Sequence, residues 1–170
     1  MATVGDKPPP YAGLRAGEIV ADVGCGPGYF ALPAARAVTA TGTVYAIDRE
    51  TRMLEIIRER SRAAGITNVV VTPAEDVVPL ADRSVDLAFC SLVLHDLVAP
   101  ESFVRDLVRI TRPNGRVAIV EWLPEPDDHR PNRISPDRLA TFFEDTVAYP
   151  SEVITIGPRQ YLAVFRVGKR

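Results

Sequence analysis

The run Asp22-Val23-Gly24-Cys25-Gly26-Pro27-Gly28 most constrains the fold. Residues 18–23 are rich in β-branched and small apolar types and read as a short strand. Glycine at every second position then breaks that strand, and residues 29–40, rich in Ala, read as a helix. Glycines here permit a tight turn and let a ligand come close to the backbone. A second strand, 43–47, leads into Asp48, 20 residues past Gly28. A carboxylate at that place can accept both hydroxyls of a ribose. Loop and carboxylate together point to a nucleoside-containing ligand.

The alternation continues. Residues 50–64 read as a helix stopped by Gly65, 68–72 and 85–90 as strands, and 100–112 as a helix beginning at proline. Pro113-Asn114-Gly115 reads as a turn, 116–122 as a fifth strand, and 124–136, with four prolines, as a loop on the acceptor side. Ser135 and Pro136 open a last helix, 137–146, as N-cap and first residue. Residues 153–156 and 161–165 flank Gly157-Pro158-Arg159-Gln160 as a terminal hairpin. Alternating strands and helices predict an α/β fold, a mostly parallel sheet with helices on both faces. Its 170 residues suit one domain, 1–170, preceded by an extended arm, 1–17, that carries Pro8, Pro9 and Pro10.

Composition narrows the function. The formal net charge of −2 argues against nucleic acid as the main partner, because phosphate neutralisation needs a basic surface. Cys25 and Cys90 have neither metal-ligand nor disulfide-framework spacing, so no metal site is predicted. The N-terminus lacks the pattern of a signal peptide, and no apolar stretch reaches the length of about 20 residues that a membrane span needs. The expected location is the cytoplasm.

In open α/β sheets, ligands bind beyond the carboxyl ends of the strands. The polar residues of interest fall there: Asp22, Asp48, the pair Glu75 and Asp76, then Ser91, His95 and Asp96, then Glu121 and Trp122. The dinucleotide fingerprint G-x-G-x-x-G is not met, since Tyr29 stands where its third glycine belongs. Pro27 also removes a backbone donor that a pyrophosphate would use. A ligand with an adenosine and an ammonium-carboxylate tail fits better, and Asp22 supplies a charge suited to the ammonium.

The segment 20–28 resembles the first motif of the class I S-adenosylmethionine (SAM)-dependent methyltransferases. Tyr45-Ala46-Ile47-Asp48 with Met53-Leu54 is similar to the second-strand motif of that family. Residues 74–80 and 84–89, then 92–97, then 112–117 follow in the family's order, so the resemblance spans about residues 14–167. It implies a Rossmann-like seven-stranded sheet with an antiparallel last strand, SAM as cofactor, and methyl transfer as the activity. Gly24, Cys25, Gly26 and Gly28 would line the methionine part, with Asp22 near its ammonium. Asp48, followed by Arg49, would bind the ribose. Met53 would pack on adenine or ribose, Ala74, Glu75 and Asp76 would border the adenine, and Ser91 would lie beside the methionine end.

Two departures stand out. Pro73 occupies the position before Ala74 where many relatives carry Asp, which moves the adenine amino contact to a neighbour or to backbone. The N-terminal arm is also short. A lid would come from the arm near Tyr11, from the loop 124–136, or from a second subunit in a homodimer.

For catalysis the sequence offers His95 and Glu121. Histidine titrates near neutrality, as a general base requires, and Glu121 can orient an acceptor. The competing expectations are a histidine bonded to backbone in a turn and a glutamate paired with an arginine. Methyl transfer from a sulfonium is an in-line displacement governed by alignment. A base is needed only where the nucleophile must lose a proton. The expected acceptor is a small molecule. RNA or protein acceptors and a non-catalytic SAM-binding role are the alternatives, with a dinucleotide oxidoreductase behind them. Two cysteines fall short of the several thiols that arsenic handling implies.

Overall fold

A computed structural model describes residues 13–74, 77–124, 132–156 and 158–169. Seven strands form one sheet: β1 Ile19–Val23, β2 Thr43–Asp48, β3 Val69–Pro73, β4 Val85–Ser91, β5 Thr111–Trp122, β6 Ala148–Ile156 and β7 Gln160–Val167. Their spatial order is β3-β2-β1-β4-β5-β7-β6. The first five pair in parallel, and β7 runs antiparallel to both β5 and β6. The sheet is therefore parallel except for its last strand, as the alternating pattern and the family resemblance predict. Strand order reverses between β1 and β4, which opens a crevice over their carboxyl ends.

Helices cover both faces. The helices α1 Ala31–Ala37 and α2 Thr51–Ala63 bury Ala31, Ala34, Leu54 and Ile57 against Val20, Val44 and Ala46. On the other face, α3 Pro100–Ile110 and α4 Pro136–Thr141 bury Val104, Leu107 and Leu139 against Ala21, Ala88 and Ile119. Strand side chains alternate between the two cores, the period-2 pattern of a sheet covered on both sides.

Several boundaries differ from the sequence reading. The first helix runs only from Ala31 to Ala37, because the glycine loop continues through Phe30 before the chain turns helical. The expected turn at Pro113-Asn114-Gly115 lies inside β5, where the pairing with β4 shifts register between Val85 and Leu87. Asn114 takes up the irregularity with φ of +65°, a conformation that asparagine tolerates better than most residues. The last helix ends at Thr141 and not at 146. Its start is as expected: Ser135 caps it, accepting the Arg138 amide at 3.2 Å, and Pro136 is its first residue. The strands of the terminal pair extend beyond the predicted hairpin, to 148–156 and 160–167.

Candidate functional site

The site is built at the carboxyl ends of β1, β2 and β4. Gly24 and Cys25 donate their amides to the Ile47 carbonyl, at 2.8 and 3.0 Å, which folds the loop over the neighbouring strand. Gly24 has φ of +79°, and a Cβ there would stand 2.4 Å from Val93 Cγ2. Gly28 has φ of +87°, and its Cβ would meet Ile57 of α2 at 2.8 Å. Two of the three glycines are thus demanded by both backbone conformation and close packing.

Asp48 ties this loop to the next helix. Its Oδ2 accepts the Gly26 amide at 2.8 Å and its Oδ1 accepts the Glu50 amide at 2.9 Å. A carboxylate has about four lone-pair sites, so each oxygen can still accept a ligand hydroxyl. Holding the loop and accepting a ligand are therefore compatible for Asp48.

Asp22 is buried at the end of β1, where its carboxyl accepts the Ala31 amide at the start of α1. Its Oδ2 is buried without a hydrogen-bond partner among the described residues. Desolvation, with the Asp48 charge adding to it, pushes the Asp22 carboxyl up to about 8. An unsatisfied buried carboxyl oxygen is costly in isolation, and a cation placed beside it removes that cost.

A cavity of about 740 Å³ opens beside this loop, within the range of about 300–1,000 Å³ that small-molecule sites occupy. Of the expected cofactor residues, Gly24, Asp48, Arg49 and Ala74 line it. Asp22, Cys25, Gly26, Gly28, Met53 and Ser91 do not stand in its walls. Cys25 lies in the core with Phe30 and Leu54, and burial, followed by the charges of Asp22 and Asp48, pushes its thiol up, away from reactivity. Met53 sits half-buried in the first turn of α2, and Ser91 ends β4 opposite Val120. Glu75, Asp76, Tyr11, His129 and Arg130 lie outside the described residues.

The far wall was not foreseen. It comes from Val77 and Val78 and from Ser102, Phe103, Asp106 and Arg109 of α3. Asp106 accepts the Val78 amide. Arg109 donates to Asp106 at 2.5 Å, to Asp82 at 2.7 Å, and to the carbonyls of Val78 at 2.8 Å and Leu80 at 2.9 Å. These bonds pin the segment before β4 onto α3. In the sequence they look like any charged helix pair three residues apart, because their partners lie 27 to 31 residues upstream.

Over β4 and β5 the site is made of side chains. Leu92 adopts φ of +58°, and the chain turns there into a short 3-10 segment, Leu94–Asp96. That turn brings His95 back to Glu121, with Nδ1 and Oε2 2.8 Å apart. Glu121 is fully buried, and its partner is this histidine, neither the expected arginine nor solvent. It also faces Tyr161 of β7 and Cys90 of β4. Burial first, then the Glu121 charge, pushes the tyrosine hydroxyl and the thiol up. Trp122 follows in β5, its ring covered by Arg133 at 4.9 Å.

Known proteins carry this architecture. A family model described as a methyltransferase domain matches residues 21–119, and the chain belongs to the class I SAM-dependent methyltransferase family. A 2-phytyl-1,4-naphthoquinone methyltransferase of Trichormus variabilis is 27% identical over 142 residues, covering 82% of this chain and 59% of its own. An arsenite methyltransferase of Halobacterium salinarum is 32% identical over 137 residues, covering 78% and 34%. The chain thus spans about a third to three fifths of the length of these relatives. A SAM-dependent methyltransferase from Aquifex aeolicus superposes with a TM-score of 0.83 at 29% identity, over 91% of this chain and 85% of that one. SAM is the cofactor of this family. The residues present fit it: a buried, unpartnered carboxyl oxygen on Asp22, acceptor capacity on Asp48, and a cavity between Asp48 and α3.

Proposed function

We propose that this protein is a one-domain, cytoplasmic enzyme that transfers a methyl group from SAM to a small molecule. The observation that carries the reading is the pairing of Asp22 and Asp48 at adjacent strand ends, one with a free buried oxygen and one with free lone pairs, beside a cavity of ligand size. In this reading SAM, when bound, supplies an activated methyl group on a sulfonium. Asp22 faces the ammonium, and the glycine loop passes along the methionine chain with Cys25 as a small loop residue. Asp48 accepts the ribose hydroxyls, with Arg49 beside it. Ala74 borders the adenine from β3, with Glu75 and Asp76 following it. Met53 packs near the ribose from α2, and Ser91 lies at the methionine end. His95 and Glu121 stand over β4 and β5, where the acceptor meets the methyl group.

A small acceptor is supported by the acidic balance of the chain and by relatives named for a quinone and for arsenite. The cytoplasmic reading is supported by two thiols that remain unpaired.

Calorimetric titration with SAM, S-adenosylhomocysteine and NAD tests the cofactor assignment. SAM and its product should bind at micromolar concentration, and NAD should not. Asp48→Ala should weaken both adenosyl ligands about a hundredfold, since each charge-assisted hydrogen bond contributes about 1.5–3 kcal/mol. Equal affinity in the variant would sink the ribose assignment.

A further inference from the structure

We infer that Arg60 of α2 is a positioning residue for the cofactor: it holds the second half of the glycine loop, Pro27 to Tyr29, in the shape that receives the amino-acid tail of SAM. The inference rests on the methyltransferase reading and adds a residue to its site.

The chain leaves Arg60 available for this work. On a helix surface, a charge pairs with residues three or four positions away. Around Arg60 those are Ile56, Ile57, Ala63 and Ala64, and none is acidic. The guanidinium turns to the loop instead. It donates to the Pro27 carbonyl at 2.8 Å, and its carbon lies 5.5 Å from the centre of the Tyr29 ring. Among the described residues it meets no carboxylate. Ile57, one turn back on the same face of α2, fills the place where a Cβ on Gly28 would stand, 2.8 Å away. The helix thus grips three consecutive loop residues from outside.

The grip matters because of how the loop enters α1. Pro27 stands four residues before Ala31, and in a continuous helix its carbonyl would accept the Ala31 amide. Gly28, with φ of +87°, keeps the helix from reaching back that far. The two groups therefore find separate partners. The Ala31 amide goes to the buried Asp22 carboxyl, and the Pro27 carbonyl goes to Arg60. The first half of the loop does not need α2, since Gly24 and Cys25 are held by Ile47 and Gly26 by Asp48. Beyond Gly26 the loop has its own turn, from the Gly28 amide to the Cys25 carbonyl at 3.0 Å, and Arg60 ties that turn to α2.

Arginine suits the place. A planar guanidinium donates in its plane and offers its face to an aromatic ring at the same time. Tyr29 stands 76% exposed where a dinucleotide fingerprint has its third glycine. Its ring there covers the guanidinium that holds the loop. In the methyltransferase reading, the tail of SAM lies along this loop with its ammonium at Asp22, and the adenosine is held at Asp48 and Ala74. Loss of Arg60 should therefore weaken ligands that carry the tail and spare those that lack it.

Calorimetric titration of the full chain with S-adenosylhomocysteine and with 5′-methylthioadenosine, an adenosyl thioether without the tail, tests this. Arg60→Ala should weaken S-adenosylhomocysteine about tenfold, the scale of one charge-assisted hydrogen bond, and leave 5′-methylthioadenosine within about twofold. Arg60→Lys, which keeps the donor and the charge without the planar stack, should fall between wild type and Arg60→Ala. Unchanged affinity for S-adenosylhomocysteine in Arg60→Ala, or an equal loss for both ligands, overturns the assignment. Amide hydrogen exchange on the ligand-free proteins gives a second reading. The Gly28 amide should exchange about tenfold faster in Arg60→Ala, and the Gly24 amide, held by Ile47, should keep its rate. Failure of the wild-type protein to bind S-adenosylhomocysteine overturns the cofactor reading instead. Exchange at Gly28 then still decides the clasp, and equal rates in wild type and variant overturn it.

Discussion

Over β1 and β2, the candidate site is a backbone loop held by its own amides, with two short carboxylates at the strand ends. Over β4 and β5, it is a pair of side chains brought together by a turn. Gly24, Cys25 and Gly26 spend their amides on Ile47 and Asp48, so the loop is fixed before any ligand arrives. His95 reaches Glu121 only because Leu92 accepts a left-handed conformation. Glycine occupies such a conformation freely, whereas leucine does so at a cost of about 1–3 kcal/mol. One end is determined by local chain chemistry, and the other by the packing of distant strands. A cofactor common to a whole family suits the first arrangement. An acceptor that changes from relative to relative suits the second, since side chains can be exchanged without rebuilding a loop.

This contrast can be broken, and the largest effect should come from the backbone end. Gly24→Val would force a β-branched residue into φ of +79° with its Cβ 2.4 Å from Val93. It should cost about 2–4 kcal/mol in chemical denaturation, from overpacking and backbone strain together. Binding of S-adenosylhomocysteine should be lost in the fraction that stays folded. Near-native affinity would show that the loop adapts, and the contrast would fail.

Asp22 gives an intermediate effect with a clear sign. Its carboxyl ionises at about 8 in the fold, against 3.8 for an unperturbed side chain. The folded state therefore binds a proton that the unfolded chain has lost, and this contribution to stability falls as pH rises from about 4 to about 8. Asp22→Asn should remove that slope and make the ligand-free protein relatively more stable at alkaline pH. An ammonium placed against Asp22 favours the ionised form. Binding of SAM at pH 7 should release a proton, read as a dependence of binding enthalpy on the buffer's ionisation enthalpy. The variant should show no such dependence, and a wild-type enthalpy independent of buffer would separate the ammonium from Asp22.

The smallest effect should come from outside both ends. Ser135→Ala removes the cap of α4 and should lower stability by about 1 kcal/mol. Affinity for S-adenosylhomocysteine should not change. An altered affinity would mean that α4 is coupled to the cofactor end, and that the two regions are less separate than their construction suggests.

The parallel sheet and the backbone end were legible in the sequence because both rest on local signals. β-branched runs, spaced glycines and a carboxylate at a strand end act within a few residues, and the parallel sheet follows from their alternation. The glycines at 24 and 28 are required by φ angles that only glycine adopts freely, so their meaning survives without coordinates. Asp48 is legible for the same reason, since its place at a strand end sets its carboxylate against the glycine loop. His95 and Glu121 were singled out by type, yet their pairing spans 26 residues and two parallel strands and could not be read from either. The clamp of Asp106 and Arg109 on Val78, Leu80 and Asp82 was invisible, because i,i+3 charge pairs usually face water. What the sequence determined alone was the class of fold and the kind of ligand held by its backbone. What only the tertiary structure decided was which buried side chains meet at the end of β5. Desolvation and hydrogen-bond geometry depend on neighbours that chain order does not specify.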